Sequence, residues 1–179
     1  MDILITNDDG INAPGLAALE RAACGMGRVV VVAPMREQSM CGHRVTTGSP
    51  IRMEQRAQDR WAVDGTPADC VRLALRALDL RPAWVLSGVN AGGNMGQDIV
   101  ISGTVAAARE AAYHGLRAMA LSHYLIRDLA VDWLRVGEWA GELMRELSGA
   151  ALADGEFWNV NLPHHPPGTL GLPERLPCH

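Results

Sequence analysis

Lysine is absent from this chain: all sixteen basic residues among its 179 are arginine. A Walker-type phosphate loop, a Schiff base and every other chemistry that runs through a lysine amine are thereby excluded. The bias itself reads as skewed codon usage rather than function. Paired cysteines are also missing. Cys24, Cys41, Cys70 and Cys178 are scattered with no CxxC spacing, so neither a zinc cluster nor a disulfide framework is expected. No apolar run approaches the roughly 20 residues of a membrane span, and no basic leader precedes the first apolar segment. These gaps together predict a soluble cytoplasmic protein with reduced thiols and no membrane partner. A basic stripe is lacking too. With a net charge of −4, a nucleic-acid polymer is not an expected partner, although a small anion still fits a locally positive site. What is present, 48% hydrophobic and 20% charged residues, is the composition of one globular domain.

Short β-branched runs alternate with longer stretches of helical period. Residues 3–5, 29–33, 84–86, 118–121 and 157–160 read as strands, bounded by turn residues. Between them, residues 15–26, 67–78, 103–113 and 132–147 read as helices, two of them opened by Pro14 and Pro67. Strands that are apolar on both faces and separated by helices predict a mostly parallel sheet with helices on both sides. Ligands in such a sheet bind where loops leave the C-terminal strand ends. Residues 34–61 break the alternation and read as a loop with a hairpin-like excursion. After Asn161 the chain becomes Pro-rich, which divides it into a domain over 1–163 and an extended or poorly ordered tail over 164–179.

The polar motifs follow predicted strands. Asn7-Asp8-Asp9-Gly10 comes directly after the first. Adjacent carboxylates repel, and a hard divalent cation bound by oxygen ligands relieves that repulsion. A solvated Asx-turn explains the same four residues without a metal. The loop after the second strand offers Ser39 and His43. The third strand leads into the glycine-rich stretch from Ser87 to Asp98, and Ser102-Gly103-Thr104 then opens a helix. Free amides and the helix dipole make that helix start an anion site. Plain N-capping accounts for Ser102-Gly103-Thr104 equally well.

Five segments occur in one order: Asn7-Asp-Asp-Gly-Ile11; Glu37-Gln-Ser39 with Gly42-His43; Gly65-Thr-Pro-Ala-Asp-Cys-Val71; Ser87-Gly-Val-Asn90 with Asn94-Met-Gly96; and Ser102-Gly-Thr-Val-Ala106. Together they resemble the stationary-phase survival protein E family (SurE), metal-dependent nucleotidases that dephosphorylate nucleoside 5′- and 3′-monophosphates. The match is close over residues 1–125 and continues more weakly through Asn159-Val-Asn-Leu-Pro163. The resemblance implies a Rossmann-like three-layer fold. It also implies one divalent ion per subunit, Mg²⁺ or Mn²⁺, held by Asp8, Asp9, Ser39 and Asn90. Homodimers or homotetramers with exchanged C-terminal segments are a further implication. Family members usually run on well past the point where this chain stops.

The expected reaction is hydrolysis of nucleoside 5′-monophosphates, with 3′-monophosphates and short polyphosphates as further candidate substrates. Asp8, Asp9 and Asn90 form the expected catalytic centre, with His43 orienting water or protonating the leaving oxygen. Asn94, Ser102, Gly103 and Thr104 are expected to cradle the phosphate. Base recognition is expected from the excursion over residues 44–60. Two alternatives fit the same residues. One is a non-catalytic nucleotide or metal sensor on the same fold. The other is a haloacid-dehalogenase-type phosphatase, which wants a DxD spacing and a basic residue, whereas here Asp9 and Gly10 follow Asp8 and lysine is absent.

Overall fold

The computed structural model describes residues 1–168, 173, 174 and 176. The chain runs β1 (Asp2–Thr6), α1 (Pro14–Ala23), β2 (Arg28–Pro34), β3 (Met53–Ala57), β4 (Arg60–Val63), α2 (Pro67–Arg76), β5 (Trp84–Ala91), α3 (Asp98–Ile101), α4 (Gly103–Tyr113), β6 (Arg117–His123), α5 (Trp133–Leu147) and β7 (Trp158–Leu162). One seven-stranded sheet has the order β3-β4-β2-β1-β5-β6-β7, and only β3 pairs antiparallel. The predicted α/β class and two-sided helix cover are therefore what the chain adopts. The excursion after β2 is the hairpin β3–β4, and β4 joins the main sheet parallel to β2.

Alternation along the strands sorts the core into two layers. Ile3, Ile5, Val31, Leu86, Met119 and Leu121 pack beneath α1 and α5. Leu4, Val30, Val32, Val85, Ala118 and Ala120 face α2 and α4 instead. Each fully buried Ile or Leu in these layers contributes about 1.5–3 kcal/mol. Local signals set the helix starts. Pro67 lies in the first turn of α2, and Thr66 with Asp69 forms a reciprocal capping box there. Asp69 also accepts the Thr46 N–H and hydroxyl, at 2.9 and 2.7 Å, and so pins the loop before β3.

Strand β5 is longer than its sequence suggests, because Gly88 reads as a loop residue yet pairing resumes beyond it at Asn90↔Ser122 and Ala91↔His123. Gly88 has φ +137°, and a Cβ there would lie 2.1 Å from the Leu121 carbonyl oxygen. Glycine is what lets the strand continue. The short α3 carries too little helical period, in four residues, to register in the sequence. Packing also runs past the boundary predicted at residue 163. His164 is 5% exposed, and its Nδ1 accepts the Ile126 N–H at 2.9 Å. The rest of the expectation for the tail falls partly outside the described residues.

The N-terminus of α1 reaches the central strand β5 through a second close approach, since a Cβ on Gly15 would meet the Val89 carbonyl oxygen at 1.9 Å. Alanine gains at most about 1 kcal/mol in helix propensity, while overpacking costs about 1–3 kcal/mol. A contact this short with backbone falls at the upper end of that range. Gly15→Ala is therefore expected to lower the urea midpoint at unchanged slope.

Candidate active site

The order β2-β1-β5-β6 makes β1 the point where the chain, having added β2 and β4 on one side, returns to add β5 on the other. A crevice opens outside the C-terminal ends at such a reversal. The β1 loop enters it. Asn7 is fully buried and donates its Nδ2 to the Gly10 carbonyl at 2.8 Å, so Asn7 makes the turn itself. Both aspartate side chains are left for other work. A solvated turn is not what forms, because Asp8 is only 5% exposed.

Asp8 is held by the start of α4. The Thr104 hydroxyl donates to its Oδ1, and the nearby Thr104 backbone N–H also favours the ionised carboxylate. Gly103 makes this approach possible: a Cβ there would lie 2.9 Å from both the Asp8 Cβ and the Cys41 Sγ. Burial pushes the Asp8 carboxyl up to about 6, with the Asp9 charge adding to the rise and Thr104 opposing it. The Asp9 carboxyl is also raised, by burial and then by Glu37, against the Ala91 N–H that donates to its Oδ2 at 3.0 Å.

Hydrogen bonds draw three loops together here. The Asp8 carbonyl accepts the Gln38 N–H at 2.7 Å, which ties the Ser39 loop to β1. The Ala91 N–H on Asp9 ties β1 to the strand that carries Asn90. Asn90 turns its Nδ2 onto the Gly92 carbonyl at 2.7 Å, leaving its side-chain oxygen for a ligand. Ser39 donates to Glu37 and keeps its lone pairs. Among the described residues, no three His, Cys, Asp or Glu side chains gather as a metal-binding group. The candidate set is instead two carboxylates, a hydroxyl and an amide oxygen. That all-oxygen chemistry, with an under-compensated buried carboxylate at its centre, fits a hard divalent cation.

Two expected roles need correction. The one proton of the Thr104 hydroxyl is committed to Asp8, so that side chain orients the carboxylate and does not donate to a phosphate. The anion at this helix start is the protein's own Asp8. Ser102 does cap α4, accepting the Val105 N–H at 3.1 Å, and retains its hydroxyl proton as a donor. His43 is the second correction. Its Nε2 meets Glu110 Oε2 at 2.6 Å, and its ring stacks on Tyr113 at 5.8 Å. Glu110 lies six residues beyond Thr104, about 9 Å along the helix axis. The catalytic role expected for His43 is not supported by that geometry. Its ring braces the loop that carries Ser39. Asn94 gives one amide proton to Ser122 Oγ at 2.7 Å, which leaves the other for a ligand.

Sequence reasoning missed Glu110. It is 2% exposed and gathers Arg72 Nε at 2.6 Å and His114 Nε2 at 3.0 Å in addition to His43. Burial alone raises this carboxyl, but the Arg72 and His43 hydrogen bonds bring it below its ordinary value. An acidic residue on the buried side of an alanine-rich helix was the available signal.

A family model described as Survival protein SurE matches residues 3–172. A protein of Nostoc sp. is 50% identical over 178 residues, covering 99% of this chain and 78% of its own length. The 5′-nucleotidase SurE of Geotalea uraniireducens is 45% identical over 174 residues, covering 97% of this chain and 70% of that protein. The crystal structure of the SurE protein from Aquifex aeolicus superposes with a TM-score of 0.84 at 37% identity. That superposition covers 91% of this chain and 66% of the Aquifex chain.

Thr104→Val keeps the shape but leaves a buried carboxylate oxygen without its donor, at a cost of about 1.5–3 kcal/mol. Thr104→Ser is expected to retain most of that stability in urea unfolding, and equal losses for the two variants would contradict the bond to Asp8. Glu110→Gln is expected to cost about 1–2 kcal/mol, reduced because Arg72 is half exposed. Hydrogen exchange at residues 42–46 is expected to quicken in that variant, since His43 loses its charged partner.

Proposed function

The chain belongs to the SurE family, and from that premise we propose that it is a divalent-metal-dependent phosphatase that hydrolyses nucleoside 5′-monophosphates to nucleoside and inorganic phosphate. The observation that carries this reading is the pair Asp8–Asp9 at the β1/β5 crevice, hydrogen-bonded to the loops bearing Ser39 and Asn90. The family membership adds to it, as does the name 5′-nucleotidase SurE of the Geotalea relative.

In this proposal one Mg²⁺ or Mn²⁺ per subunit is held by Asp8, Asp9, Ser39 and Asn90. When bound, such an ion offsets the two carboxylates, lowers the pKa of a water and neutralises phosphoryl charge. The chain's own residues do the positioning. Thr104 fixes the Asp8 carboxylate through its hydroxyl. The Ala91 N–H holds Asp9 Oδ2, and Oδ1 would serve the ion. Ser102, the Gly103 amide and the second Asn94 amide proton are the donors left for phosphate oxygens. The glycine-rich loop brings its backbone close to them. Further substrates in the same proposal are 3′-monophosphates and short polyphosphates.

A homodimer or homotetramer and a cytoplasmic location complete the reading. Exposed Val100, Ile101 and Leu134 supply apolar surface for self-association. Among the described residues, no helix is long and apolar enough to cross a membrane.

Phosphate release from a nucleoside monophosphate is expected with added Mg²⁺ or Mn²⁺, to vanish on exhaustive chelation and to return when metal is restored. Turnover that survives chelation refutes the proposal. Asp8→Asn is expected to lose turnover while the metal-free protein melts at the same temperature or slightly higher, because a buried like-charge pair has been removed. A melting temperature that falls together with activity makes Asp8 a structural residue instead.

A further inference from the structure

Tyrosine is rare in this chain, with two residues, and both are exposed. Tyr113 is stacked on His43. Tyr124 is 51% exposed and follows β6 directly, at the C-terminal edge of the sheet where the candidate metal ligands lie. Its backbone is fixed, since its N–H donates to the Leu162 carbonyl at 2.8 Å. The ring lies on Gly93: a Cβ there would meet Tyr124 Cδ2 at 2.9 Å and Met95 Cε at 3.4 Å. Met95 is 49% exposed, so an aromatic ring and a thioether flank one glycine with half their surface open.

The three residues before the ring's resting place belong to the site. Asn90 donates to the Gly92 carbonyl, the Ala91 N–H holds Asp9, and Gly92 bridges to His123, the neighbour of Tyr124. In the sheet register Asn90 pairs with Ser122, two residues before Tyr124. The contacts to the aspartates thus end at Ala91, and an exposed ring and thioether flank the chain at Gly93. A nucleoside monophosphate has this same layout, a charged group and a flat base separated by one sugar. The hairpin β3–β4, where base recognition was first expected, forms the sheet edge beyond β2, on the opposite side of β1 from Asn90.

We propose that the Tyr124 ring, with Met95 beside it, is the stacking platform for the substrate's nucleobase and the specificity-determining residue of this site. The proposal rests on the phosphatase reading given above. Stacking on one ring is tolerant of base identity, so it selects nucleotides over other phosphate esters rather than one base over another.

The test compares a purine nucleoside 5′-monophosphate with ribose 5-phosphate on the full chain in the presence of Mg²⁺ or Mn²⁺. Tyr124→Ala is expected to raise KM for the nucleotide roughly five- to 150-fold, the size of a lost base–aromatic stack. Its kcat, its turnover of ribose 5-phosphate and its inhibition by inorganic phosphate are expected to stay within about twofold. Tyr124→Phe keeps the ring and is expected to restore the nucleotide KM. Equal losses on both substrates, or no change on either, overturn the platform. Wild-type protein that hydrolyses ribose 5-phosphate as readily as the nucleotide overturns it too, while leaving the phosphatase reading intact. Hydrolysis of neither substrate refutes that reading itself.

Discussion

Asp8 brings a carboxylate into the junction between the central strand and the start of α4, and much of the site's construction answers to that charge. Burial disfavours its ionised form first, and the neighbouring Asp9 charge adds to that. A helix N-terminus returns about 0.3–1 kcal/mol, up to about 2 in partly buried geometry, and a bond from a hydroxyl to a charged oxygen about 1.5–3. Thr104 and the α4 start therefore oppose the rise only in part. Asp8 stays raised to about 6 despite both. Asp9 and Glu37 add negative charge that no arginine or histidine of the described site balances directly. A divalent cation is the simplest remaining counter-charge, and the Gly103 contact shows how tightly the helix must close on Asp8 to do even its share.

Holding that charge in place requires three loops to keep their mutual positions, and backbone does most of the work. Gln38 N–H to the Asp8 carbonyl, Gly42 N–H to the Ile101 carbonyl and Ala91 N–H to Asp9 each cross from one strand-end loop to another element. Side chains secure the outer ends. Glu110 grips the second loop through His43, and Asn159 and Asn161 donate to the Asn94 carbonyl from β7. These anchors lie away from the aspartates, so loops that would be mobile in isolation are fixed at both ends. Preorganised donors of this kind act without first paying to become ordered.

The sheet and its helix cover were legible because β-branched runs and helical periods are local signals. Residues 103–113 and 132–147 were read to within a residue of α4 and α5, for α4 begins at a Ser cap and α5 at an Asp cap. The extension of β5 past Gly88 was not legible, since it depends on the Leu121 carbonyl from a strand thirty residues away. Partners were the least legible feature. Sequence identified Thr104 as a hydroxyl at a helix start, but its acceptor comes from a residue 96 positions earlier. His43 looked like a site residue because its loop is one, yet its partner Glu110 is 67 positions on. Motifs report which chemistry is available, whereas long-range pairing decides which atom uses it.

That distinction also bears on how one short strand end divides its labour. From Asn90 to Met95, successive groups face different tasks: a side-chain amide turned back on Gly92 and a backbone N–H on Asp9, then a glycine beneath an exposed ring, then an asparagine tied to Ser122 and β7. Side chains at every one of these positions would fill the crevice, and the glycines at 92 and 93 keep it open. The same glycines would make the loop costly to order if it had no anchors. Asn94 supplies them, with its N–H, its carbonyl and one amide proton engaged by β6 and β7. The stretch can therefore be both bare enough to admit a substrate and rigid enough to orient one, and it owes the second property to the strands beyond β5 in the sheet.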